Sequence, residues 1–148
     1  MIYEIINPSD PYTMVCKDVR IAQAAGLLLG NGKYGLRDED GKDTLPLLLF
    51  GTALPWVAKE FGSMEEFQEY IGANLIEIAN CLETVMSFGR EERVAYDEAI
   101  KTMAPEQAKA YRDKVHDKNR SSMNDIGGYA WQLAENMREK AKGERALF

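Results

Sequence analysis

The glycines of Gly30-Asn-Gly-Lys-Tyr-Gly35 match G-x-G-x-x-G, the spacing with which a loop cradles a dinucleotide pyrophosphate. That chemistry needs a strand before the loop and a helix opening after it, so that the phosphates sit on the helix N-terminus. Here a helix-like segment precedes the glycines and Leu36-Arg-Asp-Glu-Asp-Gly41 follows, so the order is inverted and the glycines read as a helix cap and turn. A kinase-type covering loop is excluded separately, because 148 residues do not hold the remaining catalytic parts. Asp38, Asp40 and Asp43 have the hard oxygen chemistry of a calcium loop. With Gly41 at the turn position of an EF-hand, however, Leu36 and Leu47 occupy the first and last ligand positions, and a solvated hairpin tip is the better reading.

His116 is the one histidine of the chain, which excludes a histidine dyad or a His-rich metal site within one subunit. Ser121, Ser122, Asp113 and Asp117 lie near it in sequence, but triad members usually come from separate elements, and no G-x-S-x-G elbow exists. His116 is therefore read as an exposed helix residue. Cys16 and Cys81 belong to no C-x-x-C or Cys/His cluster and read as two buried, reduced thiols. No catalytic residue, no metal ligand and no cofactor is assigned.

Charge offers a different chemistry. The chain carries 18 basic and 24 acidic side chains, a net charge of −6, which argues against a generic nucleic-acid binder needing a basic surface. The average conceals a split. Residues 1 to 108 hold 9 basic and 18 acidic residues, whereas residues 109 to 148 hold 9 basic and 6 acidic. Glu65, Glu66, Glu69, Glu77 and Glu83 fall on the polar side of one long predicted helix, a carboxylate face suited to a basic partner groove. Glu91, Glu92, Asp97 and Glu98 follow on the next helix. Lys109, Arg112, His116 and Arg120 form a basic stripe at helical spacing, which serves a phosphate backbone, an acidic partner or simply solvent, with Lys109 and Asp113 then paired at i,i+4. Arg120 also stands beside the capping pattern of Ser122 and Asp125, where helix donors can hold a small anion.

These residues must be positioned by an ordinary core. Hydrophobic residues are 45% and charged residues 28%, close to globular usage, so disorder and a disulfide miniprotein are excluded. Tyr3, Ile5 and Ile6 read as a strand, Asn7 to Pro11 as a turn, and Tyr12 to Lys17 as a second strand. Asp18 caps a helix that ends at Gly30-Asn-Gly32, and Lys33–Arg37 with Thr44–Phe50 flank a hairpin loop. The spacing then predicts helices over Leu54–Phe61, from the capping box Ser63-Met-Glu-Glu66 to Gly89, over about Glu91–Met103, from Pro105, and over about Asn124–Lys142. The expected fold is one α+β domain, 1–148: a small antiparallel sheet from a strand-rich 1–51 with one helix, packed with a helical 52–148.

Neither Leu27–Leu29 nor Leu45–Phe50 approaches a membrane span, and Met1-Ile-Tyr-Glu-Ile-Ile6 lacks the charged n-region of a secretory signal, so a cytoplasmic location is expected. The combination of Ile6-Asn-Pro-Ser-Asp10, Leu45-Pro-Leu-Leu-Leu-Phe-Gly51 and Arg120-Ser-Ser-Met-Asn-Asp-Ile-Gly127 resembles an uncharacterised family of small bacteriophage and prophage proteins, over most of the chain. The resemblance transfers no catalytic residues. It implies a host-takeover or anti-defence context, anti-CRISPR inhibitors included, in which such proteins act by binding. The expected function is a non-enzymatic inhibitor or modulator of a host nucleic-acid enzyme or defence complex, with a protein partner such as a host nuclease and a homodimer as a second possibility. The alternatives are an oligomerising phage structural or assembly component and a small nucleotide- or anion-binding enzyme.

Overall fold

The computed structural model describes residues 1–7, 11–30, 34–45, 54–120 and 126–143, with the backbone alone for 54, 55, 116 and 118–120. Four strands, β1 (Ile2–Ile6), β2 (Tyr12–Val15), β3 (Gly35–Arg37) and β4 (Asp43–Leu45), form an antiparallel sheet in the order β2-β1-β3-β4. Seven helices are described: α1 (Val19–Gly30), α2 (Leu54–Phe61), α3 (Met64–Ala73), α4 (Leu75–Glu83), α5 (Arg90–Lys101), α6 (Pro105–Arg120) and α7 (Ile126–Ala141). The α+β architecture is the expected one. Among the described residues no helix is long and apolar enough to cross a membrane.

Period-two alternation explains β1: Tyr3 and Ile5 are buried while Ile2, Glu4 and Ile6 are partly exposed. Tyr3 stands opposite Met14 and Ile5 opposite Tyr12, so one sheet face is continuous and apolar. Asp18 caps α1 as expected, its Oδ1 accepting from the Ile21 amide at 2.9 Å. The helix then lies close on β3 and β4 because residue 26 has no side chain. A Cβ at Gly26 would stand 2.9 Å from Leu45 Cδ2 and 3.0 Å from Leu36 Cδ1, and both leucines are buried. Gln23 ties α1 to β4 by donating from Nε2 to the Thr44 carbonyl at 2.8 Å.

The helical part departs from the sequence reading at one point with several consequences. A single helix is predicted from the capping box to Gly89, yet it breaks at Asn74, where φ is −128° and ψ 29°. Asn74 donates from Nδ2 to the Tyr70 carbonyl at 2.8 Å, and its amide donates to the Ile71 carbonyl. A short polar side chain that bonds its own backbone competes with helix propagation, and Gly72 just before it lowers helical preference further. α4 also ends earlier than predicted. Val85 and Met86, assigned to its apolar stripe, are buried but non-helical, and Met86 exchanges two backbone hydrogen bonds of 3.1 Å with Thr13, extending the β2 edge.

α4 is the centre of the helical layer, packed against α1, β2 and, most extensively, α7. Ile78, Ala79 and Leu82 on α4 and Ala130 and Ala134 on α7 are fully buried, and the three alanines let the helix backbones approach closely. Of the second predicted hairpin strand, Pro46 to Phe50 lie outside the described residues, as do Asn31 to Lys33 after α1.

Cys16 and Cys81 correct the expectation of two reduced thiols. Both are buried, but they are joined by a disulfide between the end of β2 and the last turn of α4, with Cα atoms 4.9 Å apart. The sequence shows no relation between them because their meeting depends on α4 crossing β2, across 65 positions of chain.

Burial pushes the hydroxyl pKa values of Tyr3, Tyr70 and Tyr96 above the ordinary 10.0. A group whose folded pKa is raised stabilises the fold fully below its unfolded pKa, and that contribution is lost as pH rises through the folded value. Denaturation at a series of pH values is therefore expected to show stability falling above pH 10, with absorbance at 295 nm showing tyrosines that ionise only as the fold opens.

Candidate partner-binding surface and a second cleft

The carboxylates divide by whether a cation holds them. Glu4 accepts from Arg90 Nε at 2.7 Å, and Arg90 Nη2 also donates to the Asp38 carbonyl at 2.8 Å, pinning the start of α5 to the sheet. Glu60 stands 3.7 Å from Arg20, joining α2 to α1. Glu83 accepts from Arg138 Nη2 at 2.6 Å, joining α4 to α7. Asp97 lies 3.5 Å from Arg93 on α5.

The predicted acidic face is split by the break at Asn74. Glu65, Glu66 and Glu69 are exposed on α3, beside Gln68, and none of the three forms an ion pair with a described residue. Glu77 is only partly exposed, in the first turn of α4, where a carboxylate favours the helix dipole. Glu83 is not a free member of the face, because Arg138 neutralises it. α3 thus presents its acidic side alone, while Phe67 and Ile71 on its inner side are buried. The helix start is as read from the capping box: Ser63 Oγ accepts from the Glu66 amide at 3.1 Å. The Glu66 carboxylate folds back over Gly62, whose φ of +95° suits glycine and where a Cβ would collide with that carboxylate.

On α6, Lys109 and Arg112 are exposed, whereas the side chains of His116 and Arg120 lie outside the described residues, as do Ser121 to Asp125. The i,i+4 pairing of Lys109 with Asp113 is absent; neither has an ion pair among the described residues. The glycine motif follows a helix and enters β3, the inverted order its neighbours imply. In the Asp38–Asp43 loop, Asp38 Oδ1 accepts from the amides of Asp40 and Lys42, both at 2.9 Å, so this carboxylate builds the turn. No group of three or more His, Cys, Asp or Glu among the described residues is placed to hold a metal ion.

Sequence reasoning missed a cleft of about 400 Å³ between α5, α6 and the segment after α4, lined by Val15, Thr84, Met86, Arg93, Tyr96 and Arg112 among others. Arg93 is buried at 3% exposure and donates from Nη1 to the Thr84 carbonyl at 2.6 Å. Tyr96, also buried, stacks on Tyr111 with ring centroids 5.6 Å apart and meets Phe88 in a tilted contact at 5.3 Å. Its hydroxyl has no hydrogen-bond partner among the described residues, while Arg93 Nε stands 3.5 Å from Asp97 Oδ1. Burial lowers the Arg93 pKa, opposed by Asp97 and Tyr96, and raises that of Tyr96, partly offset by Arg93 and Arg112. The one sequence signal was Arg93, Tyr96 and Asp97 at i, i+3 and i+4, which puts all three on one helix face.

Comparison with protein-family models, with curated proteins and with solved structures finds no match to this chain.

Proposed function

We propose that this chain is a phage-derived, non-enzymatic binding protein that inhibits or modulates a host nucleic-acid enzyme or defence complex. It meets a basic surface of that partner with the outer side of α3. The observation that carries this reading is the set of exposed carboxylates Glu65, Glu66 and Glu69 without ion pairs among the described residues, in a molecule whose carboxylates between elements are held by arginine. Clustered like charges without counter-charges repel one another and are relieved by an opposite potential, which also steers encounter. A groove built for a phosphate backbone supplies that potential.

The test uses Glu65→Lys with Glu69→Lys. Both positions are exposed, and the loss at the α3 dipole is below about 1 kcal/mol. Glu106→Lys with Asp113→Lys on α6 is the matched control, since it makes the same change in net charge and also removes one first-turn glutamate. In cells carrying a nucleic-acid-targeting defence system, the unsubstituted protein and the α6 variant are expected to restore phage plating. The α3 variant is expected to lose it. Equal activity of both variants would remove α3 from the reading.

A further inference from the structure

The cleft beside α5 has a floor and a mouth of different character. Its floor is Arg93 and Tyr96, each at least nine-tenths buried; Arg93 is held by Asp97 and the Thr84 carbonyl, whereas the Tyr96 hydroxyl has no hydrogen-bond partner among the described residues. A buried donor without an acceptor is destabilising, so such a hydroxyl facing the cleft marks a place where an outside acceptor is stabilising. Its mouth carries Arg112, exposed and without an ion pair among the described residues, close enough to the Tyr96 hydroxyl to act on it electrostatically. Between them the wall is apolar, from Val15, Met86 and Ile100. The two carboxylates at the rim are already engaged, Glu83 by Arg138 and Asp97 by Arg93. One unengaged guanidinium set among carboxylates suits one negative charge better than two.

We propose that this cleft binds a small monoanionic carboxylate carried on an apolar body, with the head between Arg112 and the Tyr96 hydroxyl and the body against Val15, Met86 and Ile100. The Tyr96 hydroxyl, protonated at neutral pH like any tyrosine, donates to the carboxylate, and Arg112 supplies the charge-assisted contact. A volume of about 400 Å³ lies within the ordinary range of small-molecule sites. The site is separate from the α3 surface and does not depend on it.

The experiment is a titration of the full chain, followed by backbone amide NMR and calorimetry, with octanoate, octanol and acetate as probes. Octanoate is expected to shift the amides of Thr84, Tyr96, Ile100 and Arg112. Octanol, without the charge, and acetate, without the apolar body, are each expected to bind at least about tenfold more weakly. Among the described residues, Arg112→Gln removes a group that holds no ion pair and Tyr96→Phe removes a hydroxyl that has no partner, so both variants are expected to melt like the parent. Each is expected to weaken octanoate about tenfold. Equal binding of octanoate and octanol, shifts confined to other regions, or undiminished octanoate affinity in Arg112→Gln would each overturn the proposal.

Discussion

Ile78→Ala is expected to destabilise the fold by about 2–5 kcal/mol, toward the upper end of that range. Ile78 is fully buried on α4, the helix that packs against α1, α7 and the edge of β2. Ala79 beside it on α4 and Ala130 and Ala134 on α7 are all at 0% exposure. Alanine has no rotamers with which to fill a vacated space, so the cavity stays open and the full penalty is felt. For a chain of 148 residues the loss corresponds to a melting shift of roughly 5 to 20 °C. Ile76→Ala, on the same helix but 46% exposed, is the control and is expected to cost under about 0.5 kcal/mol. Denaturant unfolding of the two variants side by side measures the difference, and equal effects would contradict a core centred on α4.

The second large effect concerns Cys16 and Cys81. A bridge across 65 positions constrains the unfolded chain, and loop-closure entropy puts its contribution at about 4 kcal/mol. Cys16→Ala with Cys81→Ala is expected to lose up to that amount, and alanine avoids leaving a polar group in a site that is almost fully buried. Unfolding of the parent with a phosphine reductant should approach the double variant, whereas without reductant it should not. Two titratable thiols in the freshly denatured, unreduced protein, together with unchanged stability on reduction, would contradict the bridge.

Local signals in the sequence located what is locally determined. The alternation of Tyr3 and Ile5, the cap at Asp18, the box at Ser63 and the stripe Ile126, Ala130, Leu133 and Met137 each depend on residues within a turn or two of one another, and each has its place in the fold. Asn74 was legible in principle, but its break lies inside an apolar pattern of spacing three and four that continues on both sides. The pattern survives because α3 and α4 both bury that side. Val85 and Met86 kept the same spacing outside the helix, with Met86 pairing with Thr13, since a buried extended residue and a buried helical one are equally apolar. The pairings of Cys16 with Cys81, Glu83 with Arg138 and Arg93 with the Thr84 carbonyl follow from how helices cross, which no short window contains. The acidic α3 residues could be recognised from sequence as charged. Which carboxylates lacked a counter-charge became apparent only once the arginines were placed.

A partner surface on α3 depends on that lack of counter-charge. The most direct test is the affinity of a protein captured on the unsubstituted chain, measured against salt concentration for the parent and for Glu65→Lys with Glu69→Lys. The parent is expected to bind tightly at low salt and to weaken steeply as salt rises, while the variant binds at least about tenfold more weakly with a shallower dependence. Superimposable salt curves for the two proteins would contradict a partner surface on α3.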